Sequence, residues 1–165
     1  MEQNSFPPEK EEFQRTTLLK VLLVLSFIGS SWSMFSGLGN ALSQPSEERL
    51  TSIIEILDEV NDGKEETELI LSQMIEYVSN INQNIVNYGA VQFMLYAISL
   101  IGIYLMYKNR RLGFTIYMTV QVLLLGVPIY FGGYNSISVM VSLFMGFITM
   151  IFFALYATQL KYMDA

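Results

Sequence analysis

The 165-residue sequence contains no cysteine and no histidine. Without cysteine there is no disulfide framework, no thiolate nucleophile, no iron–sulfur cluster and no cysteine-based zinc site. Without histidine, the commonest metal ligand and the commonest general base in proteins are both missing. We therefore expect a protein that is not an enzyme and that carries neither a metal ion nor a cofactor.

Charged residues are also scarce, at 15% of the chain, whereas soluble proteins average about a quarter. Fourteen of the fifteen acidic residues lie before Val86, and only five charged residues follow that position. The mean hydropathy is +0.40 and the net charge is −6. This composition is typical of an integral membrane protein, and it argues against binding to nucleic acid, which requires a basic surface.

A membrane-spanning helix needs about 20 mostly apolar residues. The last two of the four such segments share an uncharged stretch, which Pro128 and the pair Gly132-Gly133 interrupt. The first segment is predicted to be a retained anchor, because its apolar stretch is too long for a signal peptide and acidic residues precede it. We predict an all-α membrane protein with four transmembrane helices at residues 17–40, 85–107, 112–131 and 136–160, joined by turns at 108–111 and 132–135.

Lysine and arginine in short loops indicate how a membrane protein is oriented. Seven of the nine basic residues lie on the side of the two chain ends, and only Arg49 and Lys64 lie on the other side. We therefore predict a multi-pass inner-membrane protein whose tails, residues 1–16 and 161–165, are cytoplasmic. The basic turn, with Lys108, Arg110 and Arg111, also suits contact with anionic lipid headgroups.

The segment 41–84, between the first two spans, is strongly acidic, with ten acidic and two basic residues from Ser43 to Asn84. Apolar residues recur there at helical spacing, which predicts two amphipathic helices. Their stripes are Leu50, Ile53, Leu57 and Val60 in the first helix, and Leu71, Met74, Val78 and Ile81 in the second. We expect a periplasmic helical hairpin in which the stripes face each other, or alternatively a docking surface for a partner. The second helix is predicted to continue into the second span as one rod from Leu69 to Tyr107.

Small residues spaced four apart mark faces on which membrane helices pack closely. Two such rows are present: Gly29, Ser33 and Gly37 on the first span, and Ser138, Ser142 and Gly146 on the fourth. They predict a compact bundle in which spans one and four make tight contacts. A partner's helix packed on one of these faces is the alternative.

Polar residues near the middle of the spans are few: Gln92 and Ser99 on the second span, Thr119 and Gln121 on the third. We expect Gln121 to make an interhelical hydrogen bond. Coupled transport would need an ionisable group within the membrane, and the spans have none there.

The stretch Phe27-Ile28-Gly29-Ser30-Ser31-Trp32-Ser33-Met34-Phe35-Ser36-Gly37-Leu38 follows a polar leader that contains proline. Over residues 13–40, and in its layout of spans, the chain resembles small uncharacterised four-span inner-membrane proteins of Gram-negative bacteria. This resemblance implies a bacterial inner membrane and a periplasmic acidic hairpin, and it implies no activity.

Because these observations argue against catalysis and coupled transport, we expect the protein to function by binding other molecules. We expect a non-catalytic accessory or assembly subunit of a larger bacterial inner-membrane complex, which contacts membrane lipids and either other integral subunits or further copies of itself. The alternative is a self-assembling passive channel or small-solute carrier, lined by Gln92, Ser99, Thr119 and Gln121.

Overall fold

The computed structural model describes residues 17–61, 63–160 and 163, and these residues form six helices and no strand. Four of the helices, α1, α4, α5 and α6, are long and apolar enough to cross a membrane. The prediction of an all-helical chain with four such helices is confirmed. The helices are α1 (Thr17–Ala41), α2 (Glu47–Glu59), α3 (Glu65–Gln83), α4 (Ile85–Tyr107), α5 (Arg111–Gly132) and α6 (Ser136–Gln159).

Local sequence determines where two of the helices begin. The Ser46 hydroxyl accepts a hydrogen bond from the Arg49 N–H at 3.2 Å and so caps α2, and acidic residues in the first turn favour the positive end of the helix dipole. At the start of α6, the Asn135 side-chain oxygen accepts from the Ser138 N–H at 2.9 Å. Both caps satisfy backbone donors that the helix itself leaves free.

The turn between α4 and α5 is built on Asn109, whose φ of 60° is left-handed. The Asn109 N–H donates to the Met106 carbonyl at 2.9 Å, and the Arg110 N–H donates to the Leu105 carbonyl at 3.0 Å. This pair of bonds is a Schellman motif, which ends a helix and reverses the chain within a few residues. It therefore allows α5 to pack directly against α4.

The helices α3 and α4 meet at Asn84, which is the only residue between them and has φ −107° and ψ 19°. The Asn80 carbonyl accepts from both the Asn84 N–H, at 3.2 Å, and the Asn84 side-chain amide, at 3.0 Å. Such a side-chain bond competes with the helical pattern. The prediction of one continuous rod from Leu69 to Tyr107 is therefore wrong, because the chain changes helix at Asn84.

The four long helices pack in the order α1, α4, α5, α6, and α1 makes few contacts with α6. The most extensive contact is that between α1 and α4. In the apolar stretch of α6 only 11% of the residues are buried inside the protein, whereas in that of α5 39% are buried. The bundle is therefore compact along α1, α4 and α5, and it is open on the side where α6 approaches α1.

Glycine pairs bring the helices of the compact part together. A Cβ added at Gly89 of α4 would overlap the backbone of α1 at Gly37 and Ala41. On the other face of α4, a Cβ at Gly102 would lie 2.9 Å from the backbone nitrogen of Tyr117 and would also press on the Gly113 carbonyl. Only glycine allows these backbones to approach so closely.

The helices α2 and α3 contact each other where α2 begins and α3 ends. The Ser46 N–H donates to the Asn82 side-chain oxygen at 3.3 Å, and the Asn82 side-chain amide donates to the Ser46 carbonyl at 3.2 Å. The two apolar stripes are only partly covered, and no residue of α2 is buried. Leu71 is buried, Leu50, Ile53, Leu57, Met74, Val78 and Ile81 are half-buried, and Val60 is exposed.

The helix α3 also rests on the end of the bundle at which α5 stops. The Asn80 side-chain amide donates to the Gly132 carbonyl at 3.2 Å, and the Tyr77 ring lies directly against Gly132. Burial raises the pKa of the Tyr77 phenol above its ordinary value. This contact fixes α3 to the end of α5.

We predict that Gly89→Ala lowers the stability of the protein by about 1–3 kcal/mol, because the new methyl group overlaps the backbone of α1. Gly126→Ala in α5 is the matched control, because a Cβ there meets open space. The thermal unfolding midpoints of the two variants in detergent measure the difference. Equal midpoints for both variants would show that α1 and α4 do not approach closely at Gly89.

Candidate functional site

A cavity of about 240 Å³ lies where α1 and α6 fail to close on each other, and we call it the cleft. Residues of α1, α5 and α6 line it, together with Tyr96 of α4, and none of the lining residues is charged. Its polar lining consists of Ser26, Ser30, Ser33, Tyr96, Tyr117, Gln121 and Thr149. Seven polar side chains from the four long helices therefore converge on one place.

Ser26 of α1, which is 5% exposed, joins three helices at one part of the cleft. Its hydroxyl oxygen accepts hydrogen bonds from the phenols of Tyr117, at 3.2 Å, and Tyr156, at 2.9 Å. The two rings meet edge to face at 5.6 Å between centroids, a favourable arrangement for aromatic pairs. Through this network α1 holds both α5 and α6.

A second polar pair joins α1 to α4. The hydroxyls of Ser30 and Ser99 lie 3.2 Å apart, at hydrogen-bond distance, and Ser99 is fully buried. Ser99 is therefore a packing contact between two helices, and it does not face a lumen.

Gln121 lies on α5 near the middle of its length and is half-buried in the lining of the cleft. Within the part of the chain that the structure describes, its side chain makes no hydrogen bond, so the expected interhelical bond is not formed there. The contact between α1 and α6 beside this cavity is a loose one.

The other two mid-span polar residues lie elsewhere. The Gln92 amide donates to the Tyr88 hydroxyl at 2.9 Å, one turn away on the same helix. Thr119 is exposed on the surface of α5. The structure therefore does not bring Gln92, Ser99, Thr119 and Gln121 together around one lumen.

The small-residue row of α1 is divided between two surroundings. Gly37 packs tightly on α4, where an added Cβ would lie 2.8 Å from the Phe93 backbone nitrogen. Gly29 and Ser33 line the cleft, and a Cβ at Gly29 would meet no atom within 4 Å. Only one end of this row is thus a close helix contact within the described residues.

The small-residue row of α6 faces α5. The Ser142 hydroxyl donates to the Leu125 carbonyl at 2.8 Å, and Gly146 lies beside the Leu125 side chain. Ser138 is fully buried, and its hydroxyl donates to the Asn135 side-chain oxygen at 3.0 Å. Gly37 of the α1 row therefore packs on α4 and the α6 row packs on α5, so the two rows do not pack on each other.

The three basic residues of the turn, Lys108, Arg110 and Arg111, lie in different environments. The Arg111 Nε donates to the Met163 carbonyl at 2.8 Å, and Met163 is itself buried in the core at this end of the bundle. Arg110 is exposed. The Lys108 ammonium lies 4.8 Å from the centroid of the Tyr104 ring.

Several important residues were missed by the sequence analysis. Tyr156 and Thr149 gave no signal, because single polar residues in an apolar helix do not reveal which face they occupy. Gly102 and Gly113 could have been found from the sequence. They lie at nearly equal sequence distances before and after the turn at Lys108, so they face each other when the two helices run antiparallel.

No protein-family model matches the sequence, and comparisons with curated proteins and with solved structures find no significant match. Among residues 17–61, 63–160 and 163 there is no group of His, Cys, Asp or Glu side chains that could hold a metal ion. The cleft is the candidate site.

We predict that Ser26→Ala lowers the free energy of unfolding by about 1–2 kcal/mol, because two phenols lose their acceptor. Ser36→Ala, an exposed serine of the same helix, is the control and should stay within about 0.5 kcal/mol of the native protein. Denaturation of the purified protein in mixed micelles gives both values. A Ser26 variant as stable as the control would mean that the hydroxyl does not hold the three helices together.

Proposed function

We propose that the protein is a non-catalytic accessory or assembly subunit of a larger bacterial inner-membrane complex, and that its cleft receives a polar side chain from a partner's membrane helix. The observation that carries the proposal is Gln121. Its amide makes no hydrogen bond within the described residues, and an unsatisfied polar group in hydrocarbon costs several kcal/mol. A lipid tail offers no hydrogen bond, whereas a polar side chain on a partner's helix does.

The rim of the cleft supports a helix as the occupant. Leu25 of α1 and Ile148 of α6 line the cleft and are more than 40% exposed. A membrane helix lying along this opening would cover both side chains and insert one polar group between them. Polar contacts inside apolar interfaces of this kind are common between membrane helices.

We propose further that α2 and α3 form an acidic hairpin outside the membrane that meets a second part of the partner. The two hydrogen bonds between Ser46 and Asn82 support the hairpin. The exposure of Val60, at 66%, and the absence of any buried residue in α2 support a further contact, because such a small unit rarely covers its own apolar side chains.

A passive channel or small-solute carrier has less support. The predicted lining of such a channel is Gln92, Ser99, Thr119 and Gln121. Of these, Thr119 is exposed and Ser99 is fully buried. Among the described residues, only Gln121 of that set lines the cleft.

For the topology, we predict cytoplasmic termini and an external segment between α1 and α4. Because the native chain has no cysteine, single substitutions can be labelled selectively. In intact spheroplasts an impermeant maleimide should label Ser72→Cys and should leave Ser5→Cys unlabelled until the membrane is opened. The reverse pattern would refute the proposed orientation.

For the cleft, we predict that Gln121→Leu raises the stability of the isolated chain and lowers recovery of the complex about fivefold. The first effect follows from removal of an unpaired amide, and the second from loss of one hydrogen bond to the partner, worth about 1 kcal/mol. Thr119→Val, an exposed change two residues away on α5, should alter neither. Affinity purification from native membranes, with quantitative mass spectrometry and a thermal midpoint, measures both effects.

Photo-crosslinkers on α6 locate the contact. A crosslinker at Thr149, which lines the cleft, should capture one defined membrane protein, and a crosslinker at the exposed neighbour Met150 should not. A pure homo-oligomer that conducts in liposomes, and loses its conductance in Gln121→Leu, would overturn the accessory function and favour the channel.

A further inference from the structure

A second cavity, of about 590 Å³, lies between α1 and α4 at the end of the bundle that carries the basic turn, and we call it the groove. Its α1 residues, among them Lys20, Val24 and Phe27, lie on a different face from the α1 residues of the cleft. From Lys20 to Phe27 the groove follows two turns of helix, or roughly 10 Å at 1.5 Å per residue. The groove and the cleft are thus separate sites.

The groove is apolar along its length and basic at one end. Val24, Phe27 and Leu100 form part of its wall, and Lys20 closes the end nearest the start of α1. Tyr104 belongs to the same wall. Side chains of lysine near the ends of membrane helices extend toward the headgroup layer, so this end lies at the depth of lipid phosphates.

A second ammonium group is held at the same end. Lys108 lies 4.8 Å from the centroid of the Tyr104 ring, in the range of a cation–π contact. Lys108 does not itself line the groove, but it contacts Tyr104, a residue of the groove wall. No Asp or Glu occurs in α1 or α4, so neither helix supplies an anion for the two lysines.

We propose that the groove binds one anionic phospholipid, with an acyl chain against Val24, Phe27 and Leu100 and the phosphate between Lys20 and Lys108. The charge complementarity selects this occupant, since an apolar slot that ends at the Lys20 ammonium matches an apolar chain that ends in a phosphate, and the Lys108 ammonium adds positive charge beside Tyr104 of its wall. The volume lies within the usual range of about 300–1,000 Å³ for ligand pockets. Arg111 does not line the groove, and its Nε donates to the Met163 carbonyl.

The test is native mass spectrometry of the delipidated full-length protein, titrated with phosphatidylglycerol or with phosphatidylcholine of the same acyl chains. We expect one phosphatidylglycerol to bind with clear preference over phosphatidylcholine. Lys20→Gln and Lys108→Gln should each weaken that binding about fivefold. Arg110→Gln removes the same charge from an exposed site of the same turn and should have little effect. Lys20→Arg should bind as the native protein does.

Two tryptophan substitutions test, independently of charge, whether an acyl chain occupies the groove. Val24→Trp fills the groove and should abolish the tight site, whereas Val21→Trp, an exposed position outside it, should not. Equal binding of the two lipids, equal weakening by Arg110→Gln, or unchanged binding in Val24→Trp would each overturn the proposal. Glycerol phosphate binding as tightly as the whole lipid would also overturn it, because the acyl chain would then contribute nothing.

Discussion

The structure depends on one constraint: inside hydrocarbon, a polar group is satisfied only by another polar group of a protein or by enclosed water. Two serines of α1 obey this constraint. Ser26 accepts from two tyrosine hydroxyls of α5 and α6, and Ser30 pairs with Ser99 of α4. These bonds connect α1 with each of the other long helices. Gln121 makes no such bond within the described residues, and it lies where α1 and α6 are apart.

Close backbone approach explains why the opening lies on that side of the bundle. Gly89 allows α1 to lie directly on α4, and the pair Gly102 and Gly113 does the same for α4 and α5. Between α5 and α6 the contact at Gly146 is an ordinary one, with a Cβ position 3.8 Å from the Leu125 side chain. The last helix is therefore the least firmly packed of the four.

Much of the fold follows from local properties of the sequence. The length and hydropathy of each apolar segment predict the four long helices, and Ser46 predicts the start of α2. The break at Asn84 could not be predicted in this way, because it accompanies the contact of α3 with the distant Gly132. The same holds for the site. Gln121 was identified as polar and central, but its lack of a partner follows from the separation of α1 and α6, which is a property of the whole bundle.

The most direct test of the account is a cryo-electron microscopy structure of the complex purified from native membranes. The account predicts a partner's membrane helix along the opening between α1 and α6, with one of its polar atoms within about 3.5 Å of the Gln121 amide. A structure in which α6 closes on α1 and satisfies Gln121 from within the chain would contradict it. So would one in which only lipid tails fill the opening.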